Sequence, residues 1–300
     1  MHKSDQFFFE QLAEGVWAAL ARPGSGASSN SGIVDIGASA LVFDTSMTPR
    51  SAGDLRAAAR ILTDKEPLEV VNSHWHLGHT LGNRIFGGCT IRSTRATQDL
   101  LSRHGANVEA QVNDPSWSRS AALVESQRDA EARPLFRDEL ASAAAARRDL
   151  GEFRDAVGLR PPDETFSGRF VYPGRQAVMI VEGAGHSESD SILFVPDGEV
   201  MFTGDLVVTE THPDLRSADP DRWLEALGRI EKAHPKALVP GHGRPAGVAA
   251  CAEIAAYIRR VRELARDLDH AEMPLEYSAW ARPFLFDQNL STLRRAQGAR

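Results

Sequence analysis
Cysteine is nearly absent from this chain of 300 residues, which holds only Cys89 and Cys251. The two are far apart in sequence and lack metal-type spacing, so they read as buried, idle thiols consistent with a reducing compartment. Long apolar runs are missing too. Nothing approaches the ~18 consecutive apolar residues of a membrane span, and Phe7-Phe8-Phe9 is too short for the core of a signal peptide. A cytoplasmic protein without a membrane partner is the expectation. Positive charge is in deficit, with a net charge of −7. Phosphate backbones are bound by clustered Lys and Arg, so no nucleic-acid partner is expected. No internal repeat is evident at the periods of solenoids. What remains is an ordinary globular composition, 42% hydrophobic and 25% charged, on a chain long enough to bury a sizeable core.

Against this plain background the histidines stand out. The apolar run Leu68-Glu69-Val70-Val71-Asn72-Ser73 ends in His74-Trp75-His76-Leu77-Gly78-His79. A loop leaving a strand tip can aim three imidazoles at one or two neighbouring points, and imidazole is the commonest protein ligand for zinc. Three later segments repeat the grammar of an apolar strand followed by Gly with His or Asp. Ala177–Val181 leads to Gly185-His186, Glu199–Thr203 to Gly204-Asp205, and Ala237–Pro240 to Gly241-His242-Gly243. Glycine at such places lets the backbone turn sharply and approach a ligand closely.

These ordered motifs, over roughly residues 15 to 245, resemble the metallo-β-lactamase superfamily, whose hallmark is His-x-His-x-Asp-His, a lone His, Gly-Asp and then Gly-His. The segment Asn72-Ser73-His74-Trp75-His76 is similar to the hydrolase branch with Asn-Thr-His-Trp-His, sometimes linked to sulfur oxidation or quinoprotein-dependent pathways. The resemblance implies an α/β fold, a four-layer αββα sandwich of two mixed β-sheets flanked by helices. It implies one domain over residues 1–300, with a helical insertion over 95–160 and a helical C-terminal extension over 249–300. It also implies a ligand set: His74, His76 and His186 for a first metal, His79 and His242 for a second, and Asp205 bridging them as the candidate catalytic residue. The Asp44-Thr45-Ser46 turn resembles a strand-ending Asp-Thr that supports the metal site. The cofactor expected is Zn2+, one or two ions, with iron or manganese as alternatives. The activity implied is hydrolysis of a small-molecule substrate, a metal-activated water attacking an ester, lactone, thioester, amide or phosphoester bond.

One position departs from the family pattern. Gly78 stands where the first motif carries an aspartate, so the second metal loses a carboxylate ligand and a proton acceptor. Loss of even an outer partner of a ligand costs ~10–100-fold in affinity or activity. Glu188, Asp190 and Glu210 lie in loops from which they could substitute, though each reads first as a solvated carboxylate. The chain is thus a one-metal enzyme, a two-metal enzyme with a substitute ligand, or a catalytically impaired metal binder. A mononuclear non-haem iron oxygenase acting on a sulfur compound is the rival reading, with His74, His186 and Asp205 as its two-histidine, one-carboxylate triad.

Pattern also places the elements. Strands are expected at Gly15–Leu20, Ile33–Ile36, Ala40–Phe43 and the run before His74, and a helix at Thr48–Thr63. Helices rich in Ala, Leu, Arg and Glu follow at Arg95–Arg103, Ser118–Arg133 and Pro134–Val157, as a cover over the active-site face or an oligomer surface that would make a homodimer. A second sheet should begin at Thr165-Phe166. Two more helices are expected at Asp219–Ala233 and Ala249–Leu268. His212 reads as a surface-loop residue or, second, as part of the pocket wall. Trp280, Phe284 and Phe286 should dock the tail on the body or on a partner subunit.

Overall fold
The computed structural model describes residues 3–175, 177–266 and 271–298. Its first sheet is mixed and runs in sequence order: β1 (Phe7–Ala13), β2 (Val16–Ala21), β3 (Ser31–Asp35), β4 (Ala40–Phe43), β5 (Pro67–Val71), β6 (Thr90–Thr94) and β7 (Glu164–Phe166). The first three pairings are antiparallel hairpins, and the last three are parallel. Parallel neighbours need crossovers. The helix α1 (Pro49–Thr63) supplies that between β4 and β5, and the short α2 (Leu77–Thr80) lies between β5 and β6. Three helices, α3 (Arg95–Asn113), α4 (Ser116–Ala130) and α5 (Pro134–Glu152), separate β6 from β7. The second sheet holds β8 (Arg169–Val171), β9 (Val178–Gly183), β10 (Asp190–Val195), β11 (Val200–Val208) and β12 (Ala237–His242). Its one parallel pair, β11 and β12, is joined through α6 (Pro220–Lys232). The chain ends with α7 (Ala249–Leu264) and α8 (Phe284–Gly298).

Period-2 alternation explains the layers, because successive strand residues face opposite sides. In β4, Ala40 and Val42 join Leu55, Ala58 and Ala59 of α1 in one core, while Leu41 and Phe43 point into the space between the sheets. In β11, Val200 and Phe202 meet them there, while Met201 turns outward to Trp223, Leu227 and Ile230 of α6. Both faces of each central strand are covered, which is why these strands read as continuous apolar runs. The result is the four-layer αββα sandwich of two mixed sheets.

The helices start where the sequence signals a start. Thr48 caps α1 by accepting from Ser51 N at 3.2 Å with Pro49 in the first turn, and Asp219 caps α6 ahead of Pro220. Pro suits the first turn because its missing N–H has no partner to lose there.

The structure corrects several boundaries. Thr165 and Phe166 belong to the first sheet, paired in parallel with Ser93 and Thr94, so the second sheet starts at Arg169. Three residues carry no pattern that reveals their partner strand. Phe7-Phe8-Phe9 opens a strand that the pattern does not place, the edge strand β1, paired with β2. The helix expected at Arg95–Arg103 continues to Asn113, and that expected to Val157 ends at Glu152 before a 3-10 turn. Helix α7 stops at Leu264, and residues 267–268 of the expected range lie outside the described residues. Trp280 and Phe286 pack on the body's core, as expected, and Phe284, though 46% exposed, has its ring 6.0 Å from that of Phe136 on α5. Both cysteines are buried and free. Among the described residues no helix is long and apolar enough to cross a membrane.

Phe202 is fully buried between the sheets, its ring 5.6 Å from that of Phe43. Phe202→Ala is expected to lower unfolding free energy by about 3–5 kcal/mol. A drop in the urea midpoint with an unchanged far-UV circular dichroism spectrum checks this; a loss under ~1 kcal/mol would contradict the packing.

Candidate metal centre
All six sequence-predicted side chains converge at one end of the sandwich, where strands of both sheets run out. His74, His76 and His79 follow β5, His186 follows β9, Asp205 lies within β11 and His242 closes β12. They form two groups whose donor atoms lie within 4.8 Å of one another: His74, His76, His186 and Asp205, and then His79, Asp205 and His242. Asp205 belongs to both, and its two oxygens divide between them. Oδ2 stands 3.9 Å from His74 Nε2 and 3.6 Å from His186 Nε2. Oδ1 stands 3.2 Å from His79 Nε2 and 3.5 Å from His242 Nε2. Donors ~2.0–2.1 Å from one tetrahedral zinc would be ~3.3–3.4 Å apart, close to these separations.

Glycine makes this approach possible at two points. Gly204 adopts φ +52°, and a Cβ there would come within 2.7 Å of Ser73 Oγ. A Cβ on Gly241 would collide with Asp205 Oδ1. Behind the rings, Asp44 accepts from Ser73 N at 2.7 Å and from Ser73 Oγ at 2.8 Å, and meets His79 Nδ1 at 2.8 Å. Ser73 Oγ also contacts His74 Nδ1 at 2.8 Å. Orienting a ring through its second nitrogen is how metal-ligating histidines are held. The Asp44 turn thus supports the site as expected from the sequence.

The donor atoms lack partners where a cation would satisfy them. His74 Nε2, His79 Nε2 and Asp205 Oδ1 are buried without a hydrogen bond, while His186 Nε2, the ring nitrogen that faces Asp205, lies 3.0 Å from His76 Nδ1. Buried polar atoms left unpaired are rare and costly. The donor set therefore fits a metal ion.

Burial pushes His74 well down and His76 to about 3, so both imidazoles stay neutral, the form that ligates. His242 is lowered by burial and by the neighbouring Arg282. Burial alone would lower His79, but Asp205 and Asp44 outweigh it and hold the ring up at about 10. Burial opposes ionisation of Asp205, yet His242 and His79 keep its carboxyl well below the ordinary range.

No substitute for the missing motif aspartate enters either group among the described residues. Asp190 is buried but turned to Ser187, accepting from its N at 2.9 Å and its Oγ at 2.6 Å. Glu188 and Glu210 are exposed, and Glu210 faces Arg244. A Cβ on Gly78 would meet only Ser28. His212 is neither at the surface nor in the pocket wall. It is 1% exposed, 2.9 Å from the Tyr257 hydroxyl and 3.2 Å from the Tyr277 carbonyl, pinning the tail to the body. Sequence reasoning missed Arg282, whose guanidinium nitrogens lie 3.3 and 3.4 Å from the His242 ring and which pairs with Glu139 of α5 at 2.6 Å. No motif flags either residue, since each reaches the site only through long-range packing.

The sequence profile of the metallo-beta-lactamase superfamily matches residues 24–88 and 112–242. The chain belongs to that superfamily. It is 24% identical over 223 residues to a linear primary-alkylsulfatase of Pseudomonas sp., covering 68% of this chain and 39% of that protein. It is 35% identical over 82 residues to metallo-beta-lactamase domain-containing protein 1 of Xenopus laevis, covering 25% of this chain and 35% of that protein. The chain thus spans well under half the length of either relative. In fold it is similar to metallo-beta-lactamases from Pontibacter korlensis (TM-score 0.61, 16% identity, 85% of this chain and 99% of that one) and Hirschia baltica (TM-score 0.59, 17%, 85% and 98%).

The titrations set an acid limit for the metal-free protein. The unfolded chain takes up protons near pH 6.5 that folded His74, His76, His242 and His212 (lowered to about 4 by burial) refuse until lower pH. Acidification below 6.5 therefore favours unfolding. Asp190, raised to about 6 by burial, opposes this as a single group, and the contribution of His79 is complete below 6.5 and lost only as pH rises through about 10. The urea midpoint should fall from pH 6.5 to 4.5, and His212→Gln should reduce the slope by about one proton, ~1.4 kcal/mol per pH unit. An unaltered slope would show that His212 titrates alike in both states.

Proposed function
We propose that the protein is a metal-dependent hydrolase with two ion sites of unequal strength sharing Asp205. The division of the two Asp205 oxygens between the two donor groups carries this reading. His74, His76 and His186 with Asp205 would hold the first ion, and His79, Asp205 and His242 the second. The second site is the weaker, because Gly78 brings it no carboxylate and Arg282 sets a like charge beside His242. Zinc suits the imidazole-rich set.

A bound divalent ion supplies an activated water near neutral pH and polarises the bond attacked. The chain's own residues do the rest. Asp205 stays ionised and balances the charge of both groups. Asp44 and Ser73 hold His79 and His74 in fixed orientation, so the donors need no reorganisation. The likeness to an alkylsulfatase supports an ester of an oxyacid among the bonds cleaved. An iron oxygenase has no comparable support, since a single two-histidine, one-carboxylate triad leaves His76, His79 and His242 without a purpose.

Chelator-treated protein titrated with Zn2+ by calorimetry should bind two ions per chain, the second more weakly. Gly78→Asp should tighten the second step by ~10-fold or more and leave the first unchanged, and His186→Ala should weaken the first. Hydrolysis of p-nitrophenyl acetate, phosphate and sulfate should be lost on chelation and regained with zinc. Protein that carries one iron and consumes oxygen would sink the hydrolase reading.

A further inference from the structure
A cavity of about 750 Å³ opens beside the second donor group, with His242 and Gly243 in its wall. That volume lies within the range of small-molecule sites. Helix α5 contributes Leu135, Ala143 and Ala146 to the wall, with Trp117 and Met47, and β1 and β2 contribute Phe8 and Leu20. The loop after β2 closes another side and is tied to α5 by Gly24 N donating to Ser142 Oγ at 2.9 Å. Charged side chains share the wall with these apolar ones, Arg22, Asp138, Glu139 and Arg147 among them. Glu139 and His242 of the wall both contact Arg282, which stands next to the lining and has a side chain 21% exposed.

Arg282 is fixed in place by the backbone around it. It adopts φ +57°, uncommon for a residue with a side chain. Its neighbour Ala281 donates to Glu210 O at 2.9 Å and accepts from His212 N at 3.1 Å. A planar guanidinium held beside a donor group that would carry a dication calls for an anion between or next to them. Glu139 meets part of that need from within the chain.

We propose that the molecule bound at this centre is an amphiphilic anion, whose carboxylate, sulfate or phosphate group pairs with Arg282 and whose apolar chain lies in the cavity walled by Met47, Trp117, Leu135 and Ala143. This deepens the hydrolase reading by naming its substrate class, and for turnover it rests on that reading. Binding does not require the metals, so the two ideas fail separately. The acidic group of the ligand displaces Glu139 from Arg282, and α5 offers both the displaced carboxylate and the apolar wall.

The test is calorimetric titration of the full chain, zinc-loaded and chelated, with butanoate, hexanoate, octanoate and 1-octanol. Affinity should rise roughly fourfold per methylene, and octanoate should bind ~10-fold or more tighter than 1-octanol. Arg282→Met should remove the preference for octanoate, with Arg282→Lys as a second variant that keeps the charge but not the fork. Glu139→Gln should tighten octanoate, and Ala143→Phe should weaken octanoate while sparing butanoate. Equal affinities along the chain-length series, or octanoate no better than 1-octanol in the unmodified protein, would overturn the proposal. The series in chelated protein decides it even if no metal is ever taken up.

Discussion
A buried carboxylate, Asp44, sets the geometry on which the site depends. It stands at the tip of β4 and is wholly inaccessible. It ties that tip to the loop after β5 through the Ser73 amide and hydroxyl and the His79 ring. A charge in such a place is tolerable only with its bonds made. The same bonds fix His79 directly and His74 through Ser73. One residue that need touch no ligand therefore decides where two of the donor rings point.

The sandwich supplies the rest of the convergence. His74, His76 and His79 come from the first sheet, and His186, Asp205 and His242 from the second. Neither sheet alone assembles either group. The donors meet only when Phe43, Val71, Phe202 and Val239 have packed the two sheets together. Folding energy from apolar burial thus brings six polar side chains into proximity that they would not adopt unaided, and ion binding to them would return stability to the same interface.

The legible part of this architecture was the part written locally. His79, His186, Asp205 and His242 each sit beside a glycine, and His74 and His76 follow directly on an apolar strand, so the strand tips and all six side chains can be read in order along the chain. The Asp44 turn was visible because it ends the apolar strand Ala40–Phe43 and resembles the family's strand-ending Asp-Thr. What escaped was written in pairings between distant segments. Phe7–Ala13 has an uneven burial pattern because it is an edge strand, and β7 is too short to show which sheet it joins. His212 looks like any loop histidine until Tyr257 and Tyr277, tens of residues later, close over it. Glu139 and Arg282 are separated by 143 positions, and only the packed fold shows that they share a bond beside His242. Chemistry tied to strand ends was thus readable from sequence, and chemistry contributed by the helices between β6 and β7 and by the tail was not.

The shared position of Asp205 carries a thermodynamic consequence. Two donor groups with separate carboxylates could fill independently, but here one negative charge is common to both. If both groups bind ions, as proposed, an ion entering either would alter the affinity of the other, and by linkage the factor would be the same whichever arrives first. Occupancy of the pair would then be a cooperative property of the chain, set by free ion concentration through two coupled constants, and a change at Asp205 would disturb both steps together instead of leaving one intact site behind.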